Sequence, residues 1–171
     1  PIFTFPAGVD KPLIRYSLLP HIIETAFDKG LRVGVTSAGP TILGLKEFFP
    51  KTLSRINDID ISLDSPCASE HNSNRGNAGI YTQAIKSLET CQALGIPHSI
   101  IMCAMNSEVF ANGTNFDCDH ISALVDLAKK YGANVRINPM KPVEAGHMKM
   151  TLRPEQFYQG LGTLLNLCSP I

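Results

Sequence analysis

Ile59-Asp60-Ile61-Ser62-Leu63-Asp64, followed by Ser65-Pro66 and then by His71, Arg75 and Gly76, is the stretch whose reading decides the fold. Ile59, Ile61 and Leu63 alternate with Asp60, Ser62 and Asp64, the period of a strand with one apolar and one polar face. Ser62 and Asp64 therefore share a side. A hydroxyl and a carboxylate at the carboxyl end of a strand, with a guanidinium eleven residues beyond Asp64, suit a polar ligand held at the mouth of an open α/β sheet. The same residues also fit an ordinary strand that ends in a Ser-Asp turn.

Outward from this strand, the apolar pattern switches repeatedly between a period of 2 and a period of 3.6, the mark of βα units wound on a parallel sheet. Strands are expected near Ile2 to Phe5, Leu31 to Thr36, Ile59 to Leu63, His98 to Met105 and Val135 to Asn138. Helices are expected near Ser17 to Lys29, Thr41 to Phe48, Gly79 to Leu94 and Ile121 to Tyr131, with a last one opening at Thr151-Leu152-Arg153-Pro154-Glu155, where the proline suits a first helical turn. Ala84, Ile85, Leu88, Cys91 and Leu94 form one stripe of the third helix. Three helix-to-strand joints end alike, at Gly30, Gly95 and Gly132, where a left-handed glycine closes the helix. The fold class is α/β, with parallel strands, and the 171 residues are expected to form a single domain with a sizeable core.

Composition removes several classes of function. Fifteen basic residues balance fifteen acidic ones, and no basic stripe is interleaved with aromatics, so nucleic acid is not indicated as a partner. The longest apolar runs, such as Ile100 to Met105, are too short to cross a bilayer, and a cytoplasmic location is expected. The five cysteines, Cys67, Cys91, Cys103, Cys118 and Cys168, have neither the number nor the spacing of a disulfide framework or a zinc site. The chain opens at Pro1 directly on a strand-like run, which reads as a chain cut in its middle.

Ligands of open parallel sheets bind at the carboxyl ends of the strands, and each end here is polar or small. Gly8 and Asp10 follow the first strand, where a glycine lets backbone approach a ligand and a carboxylate accepts from an amine, or where both form a simple turn. Thr36-Ser37-Ala38-Gly39-Pro40 follows the second, its hydroxyls suited to a ligand or to capping the next helix. Asn106 and a polar loop from Ser107 to Asp119 follow the fourth. On the fifth, Arg136 and Asn138 share a face; an arginine in an apolar sheet either pairs with Asp60 or another carboxylate, or reaches a ligand.

With all the strand ends in view, the chain resembles the middle and later part of a radical S-adenosylmethionine (SAM) enzyme. Phe3-Thr4-Phe5-Pro6-Ala7-Gly8-Val9-Asp10-Lys11-Pro12-Leu13-Ile14-Arg15 resembles that family's Gly-Gly-Glu-Pro-Leu-Leu-Arg segment, Leu31 to Gly39 its strand ending in Thr-Asn-Gly, and Ile61-Ser62-Leu63-Asp64 its Ile-Ser-Leu-Asp. His71, Arg75-Gly76, Ala93-Leu94-Gly95-Ile96-Pro97, Arg136-Ile137-Asn138-Pro139 and Thr151 to Phe157 continue the likeness along nearly the whole chain. Departures occur where Val9 replaces a glycine, Asp10 a longer glutamate, and Ala38 an asparagine, and where Lys11 is an additional residue.

The resemblance implies a partial (β/α)6 TIM-like barrel, incomplete at the amino end. It also implies a [4Fe–4S] cluster held by a Cys-x-x-x-Cys-x-x-Cys loop; that loop is missing from this sequence and is expected upstream of Pro1. SAM would be cleaved reductively to methionine and a 5′-deoxyadenosyl radical that abstracts hydrogen from a small-molecule or peptide substrate, with an electron donor such as flavodoxin or ferredoxin. Carried onto this sequence, Gly8 and Asp10 would face the amino group of SAM. Thr36 and Ser62 would face its methionine or ribose part, Arg75 its carboxylate, and Asn138 its ribose or adenine. The missing cysteines also suit a second reading, a cluster-less barrel that binds a nucleotide or a partner. An acid–base TIM-barrel enzyme would need convergent carboxylates or a phosphate-binding glycine loop at the later strands, and neither occurs.

Overall fold

The computed structural model describes residues 2–6, 12–104, 110–111, 115–116, 118–139, 141 and 151–168. Strands β1 (Ile2–Pro6), β2 (Arg32–Ser37), β3 (Asp58–Ser62), β4 (His98–Ala104) and β7 (Asn134–Pro139) form one sheet in the order β1-β2-β3-β4-β7, and every neighbouring pair is parallel. Parallel neighbours need crossovers, and these carry the helices α1 (Pro12–Asp28), α2 (Pro40–Phe48), α3 (Pro50–Leu53), α4 (Ala68–Arg75), α5 (Ile80–Leu94) and α6 (Cys118–Tyr131). Helix α7 (Pro154–Cys168) follows β7, and Phe110–Ala111 (β5) pairs antiparallel with Asn115–Phe116 (β6). The five expected strands are all present, each end within one residue of its expected place.

Alternation along the strands sorts the two faces of the sheet. Val33 and Val35 of β2, Ile59 and Ile61 of β3, and Ile100 and Met102 of β4 have at most 1% of their surface exposed. They join Ile42 and Leu45 of α2, Ala84, Leu88 and Cys91 of α5, and Ile121, Leu124 and Ala128 of α6 in one core. Deleting a buried aliphatic side chain of this kind costs about 2–5 kcal/mol. The opposite face carries Thr36, Asp58, Asp60, Ser62, Ser99 and Arg136, so the polar half of each strand is gathered on one side.

The glycine joints form as expected: Gly30, Gly95 and Gly132 sit at φ of 70°, 65° and 64°, and Gly76 repeats the device at 61° after α4. Gly39 does something different. At φ 124° it lies so close to α5 that a Cβ would stand 2.6 Å from the carbonyl carbon of Gln83 and 2.8 Å from the nitrogen of Ala84. The hydroxyl of Ser87 donates to Gly39 O at 3.0 Å, while the hydroxyl of the buried Ser37 accepts its N–H at 3.0 Å. Ser37 is thus part of a local turn, and Gly39 itself opens α2 with Pro40 at the first helical position.

Four expectations need correcting. Helix α1 begins at Pro12, five residues before Ser17, because a proline with preset φ starts a helix well. The short helices α3 and α4 were not expected; α4, Ala-Ser-Glu-His-Asn-Ser-Asn-Arg, has no apolar stripe for a periodicity to reveal. Leu94, at the end of the expected stripe, is 53% exposed, and only Ala84, Leu88 and Cys91 of that stripe are buried. Within the expected polar loop from Ser107 to Asp119, the described residues include a short antiparallel pair and the start of α6. The start of α7 holds as read: Pro154 is its first residue, and Gln156 reaches back to accept Arg153 N–H at 2.9 Å.

Candidate functional site

The carboxyl ends of β2, β3, β4 and β7 present Thr36, Ser62, Cys103 and Asn138, each the last residue of its strand on the polar face. The register makes this explicit. Thr36 stands level with Asp60 and Ser99, Ser62 with Ile101 and Arg136, and Cys103 with Asn138, so the ends step upward from β2 to β7. Thr36, Ser62 and Cys103 are half-buried and Asn138 is exposed. Gly8, Asp10 and Asn106 lie outside the described residues.

Level with Thr36 and Ser62, the polar face carries an ion-pair cluster. Arg136 reaches across β4 to β3, two strand spacings of about 4.8 Å each. Its Nη1 donates to Asp60 Oδ2 at 3.1 Å and its Nη2 to Asp58 Oδ2 at 2.8 Å. Of the two roles open to Arg136, the structure therefore shows carboxylate pairing. Burial raises the pKa of Asp60 above its ordinary value; Arg136 opposes this, and the like charge of Asp58 adds to it. Asp60 Oδ1 and Ser99 Oγ are buried without a hydrogen bond in this geometry, although Ser99, level with Asp60 on β4, stands close enough to favour the carboxylate.

Above the ends of β3 and β4, Asp64 organises a second cluster. Its side chain is 3% exposed, and its carboxylate accepts from Arg75 twice, Nε to Oδ2 at 2.6 Å and Nη2 to Oδ1 at 2.9 Å. Oδ1 also accepts the backbone N–H of Cys103 at 3.1 Å, which ties the exit of β3 to β4. The backbone N–H of Asp64 donates to Nδ1 of His71, a fully buried ring on α4 that meets Tyr81 edge-on at 6.1 Å. Burial lowers the pKa of His71, and Arg75 lowers it further, against the pull of Asp64. Arg75 remains about one-third exposed.

The loop between β3 and α5 is pinned by its own side chains. Ser65 Oγ accepts Cys67 N–H at 2.9 Å and donates to Glu70 Oε2 at 2.7 Å. Tyr81 Oη donates to the carbonyl of Pro66 at 3.0 Å, and Asn72 Oδ1 accepts Tyr81 N–H at 2.9 Å. From α6, His120 lies 3.4 Å from the carbonyl of Asp64.

Three features of the site are not evident from strand β3 alone. Asp64 grips Arg75 instead of pointing freely at the mouth; Asp58 is a second acceptor for Arg136; and the backbone of Cys103 completes the Asp64 cluster. A signal for the second existed, because Asp58 and Asp60 are two apart on one strand face and call for a cation. The apolar crevice between Ala104, Ile121, Ile137, Leu152 and Phe157 lies on the other side of the sheet, under α6 and α7, away from these polar ends.

The chemistry of the described cysteines does not suit an iron–sulfur cluster. Cys91 is buried in the core with its thiol pushed up to about 12 by burial, whereas Cys67 is exposed at the start of α4. No three metal-ligating side chains converge among the described residues. Also among the described residues, no helix is long and apolar enough to cross a membrane.

No family model matches the chain, and no curated protein matches it by sequence. Solved structures do. A domain of a pyruvate-formate lyase-activating enzyme from Bacteroides vulgatus superimposes with a TM-score of 0.68 at 16% identity, over 96% of this chain and 93% of that one. SuiB from Streptococcus suis matches with a TM-score of 0.67 at 12% identity, over 96% of this chain and 36% of that one. The enzyme anSMEcpe, solved with AdoMet and a peptide bound, matches with a TM-score of 0.64 at 15% identity, over 96% of this chain and 46% of that one. The chain thus spans nearly the whole of the first domain and less than half of the other two proteins. Parallel strand order and these superpositions agree: the chain has the partial α/β-barrel fold of the radical SAM enzymes, its sheet not closed.

Proposed function

We propose that the chain binds S-adenosylmethionine across the carboxyl ends of β2, β3 and β7. Thr36 and Ser62 face its methionine or ribose part, Asn138 its ribose or adenine, and Arg75 its carboxylate; Gly8 and Asp10 face its amino group. The observation that carries this reading is the gathering of Thr36, Ser62 and Asn138, the last polar-face residues of their strands, on one side of a parallel sheet whose other side is filled with apolar helices. The residue types suit the ligand. Two hydroxyls and an amide can satisfy a ribose and a purine edge, and a guanidinium can meet a carboxylate. AdoMet is bound in the matching anSMEcpe structure, which supports the choice of ligand.

These residues serve SAM alone: they bind it and orient it. The described cysteines do not fit a [4Fe–4S] cluster, so none of these residues is assigned a role in holding one. For the whole protein we propose radical SAM chemistry: reductive cleavage of SAM and hydrogen abstraction from a substrate, with the cluster ligands outside the described residues and an electron donor such as flavodoxin or ferredoxin. The peptide bound in anSMEcpe and the lysine-pyruvate adduct bound in TYW1 support a small-molecule or peptide substrate. A cytoplasmic, single-domain core is part of the same proposal.

The reading is tested by calorimetric titration of the full chain with SAM. Thr36→Val and Asn138→Leu are each expected to weaken binding about tenfold, equivalent to about 1.4 kcal/mol and in the range of one lost hydrogen bond. Binding that neither substitution changes would place SAM elsewhere, and no binding by the folded chain would remove the reading.

A further inference from the structure

We infer that Asp64 is a positioning residue that aims Arg75, and that His71 fixes Asp64 in turn; this rests on the SAM-binding reading above. An arginine at the end of a helix, one-third exposed, has rotamer freedom to lose before it can hold an anion in one geometry. Asp64 removes that freedom beforehand. Its buried carboxylate occupies Nε and one hydrogen of Nη2 through a two-point grip at 2.6 and 2.9 Å. The Nη1 side of the guanidinium is left to meet an incoming carboxylate, and Nη1 makes no hydrogen bond among the described residues.

Asp64 is itself held at two points. Oδ1 accepts Cys103 N–H from the neighbouring strand at 3.1 Å, so the carboxylate cannot turn with its own loop. Its backbone N–H is accepted by His71 Nδ1 at 3.2 Å, which places the ring proton of neutral His71 on Nε2. Nε2 is buried with no hydrogen-bond partner, an arrangement that costs stability. A neutral ring suits this geometry. His71 Nδ1 lies 3.9 Å from Asp64 Oδ2, so an imidazolium there would compete with Arg75 for the same oxygen. The Asp64–Arg75 pair has no net charge, so it would recognise a carboxylate by the direction of its N–H groups more than by attraction at a distance.

The test is the ratio of dissociation constants for decarboxylated SAM and SAM, measured by calorimetry on the full chain, because general loss of stability does not move a ratio. Wild type is expected to prefer SAM at least tenfold, and Arg75→Met to lose that preference. Asp64→Asn is expected to reduce the ratio at least fivefold although Arg75 is still present, with Asp64→Glu intermediate. A folded Asp64→Asn protein that keeps the wild-type ratio, while Arg75→Met loses it, overturns the positioning role and leaves SAM binding standing. If Arg75→Met keeps the ratio, or wild type has no preference, the carboxylate contact fails and the inference with it. Should Asp64→Asn not fold, Arg75→Lys decides: a lysine keeps the charge but cannot span both oxygens of Asp64, so its ratio is expected to collapse, and an unchanged ratio overturns the inference.

Discussion

Arg136 Nη1 lies 3.1 Å from Oδ2 of Asp60, two strands away, and this pair spans the polar side of the sheet at the level of Thr36 and Ser62. Asp60 is 9% exposed at its side chain whereas Arg136 is 47% exposed, so the aspartate depends on the pair more than the arginine does. Arg136→Met is expected to destabilise the fold by about 1–3 kcal/mol, below the range for a fully buried pair because Arg136 is partly solvated. Adding Asp60→Asn should recover part of that loss. Urea denaturation of the single and double variants measures both; equal losses in the two would show that the charge of Asp60 is not at issue.

Asp60 also gives a pH dependence of definite sign. Its pKa in the folded chain is raised from 3.8, so the fold binds this proton more tightly than the unfolded chain does. Its favourable contribution is therefore present at and below about pH 3.8 and is lost as pH rises through the raised value. The stability of wild type relative to Asp60→Asn is expected to fall as pH rises from about 4 through that window, by thermal or urea unfolding. A difference that is flat or rises over the same range would contradict the burial account.

His71 has the opposite sign. Its pKa is lowered from 6.5 chiefly by burial, so the unfolded chain takes up the proton first. Stability from neutral His71 is present above about pH 6.5 and is lost as pH falls through and below that value. His71→Asn, which can keep an acceptor near the Nδ1 position, is expected to be less stable at pH 7 because the ring contact with Tyr81 is lost. It should also show a shallower decline between pH 7 and pH 5 than wild type. Parallel pH–stability curves for the two proteins would show that His71 is not the titrating group.

Two glycines with positive φ should respond very differently to alanine. At Gly95 nothing lies within 4 Å of a built Cβ, so Gly95→Ala is expected to cost only the left-handed backbone term, about 1–2 kcal/mol. At Gly39 the added atom meets the backbone of Gln83 and Ala84, and no side-chain rotation can relieve it. Gly39→Ala is expected to cost more than about 3 kcal/mol or to prevent folding, as overpacking adds to backbone strain. Similar melting temperatures for the two variants would contradict the close approach of α5 to the β2–α2 turn.

The parts legible in the sequence were those carried by periodicity and by glycine. Alternation in Ile59 to Leu63 gave β3 its two faces, and the Gly30, Gly95 and Gly132 joints set the winding. Helix α4 was not legible, because a polar eight-residue helix leaves no apolar stripe, and its one buried residue, His71, is polar. The strand-end residues Thr36, Ser62 and Asn138 could be named because a parallel sheet exposes its carboxyl ends, and their shared side follows from register. That Asp64 would turn inward to Arg75 and the Cys103 N–H was not legible. It depends on β4 lying beside β3, a contact between residues 39 apart in sequence.

SAM binding at the strand ends is tested most directly by following the backbone amide resonances of the isotopically labelled chain during titration with SAM. The expected result is a saturable shift confined to Thr36, Ser62, Arg75, Cys103, Asn138 and their neighbours, with the amides of the core around Leu88 and Leu124 unmoved. No shift at saturating SAM in a folded chain, or shifts centred on the apolar side beneath α6 and α7, would contradict it.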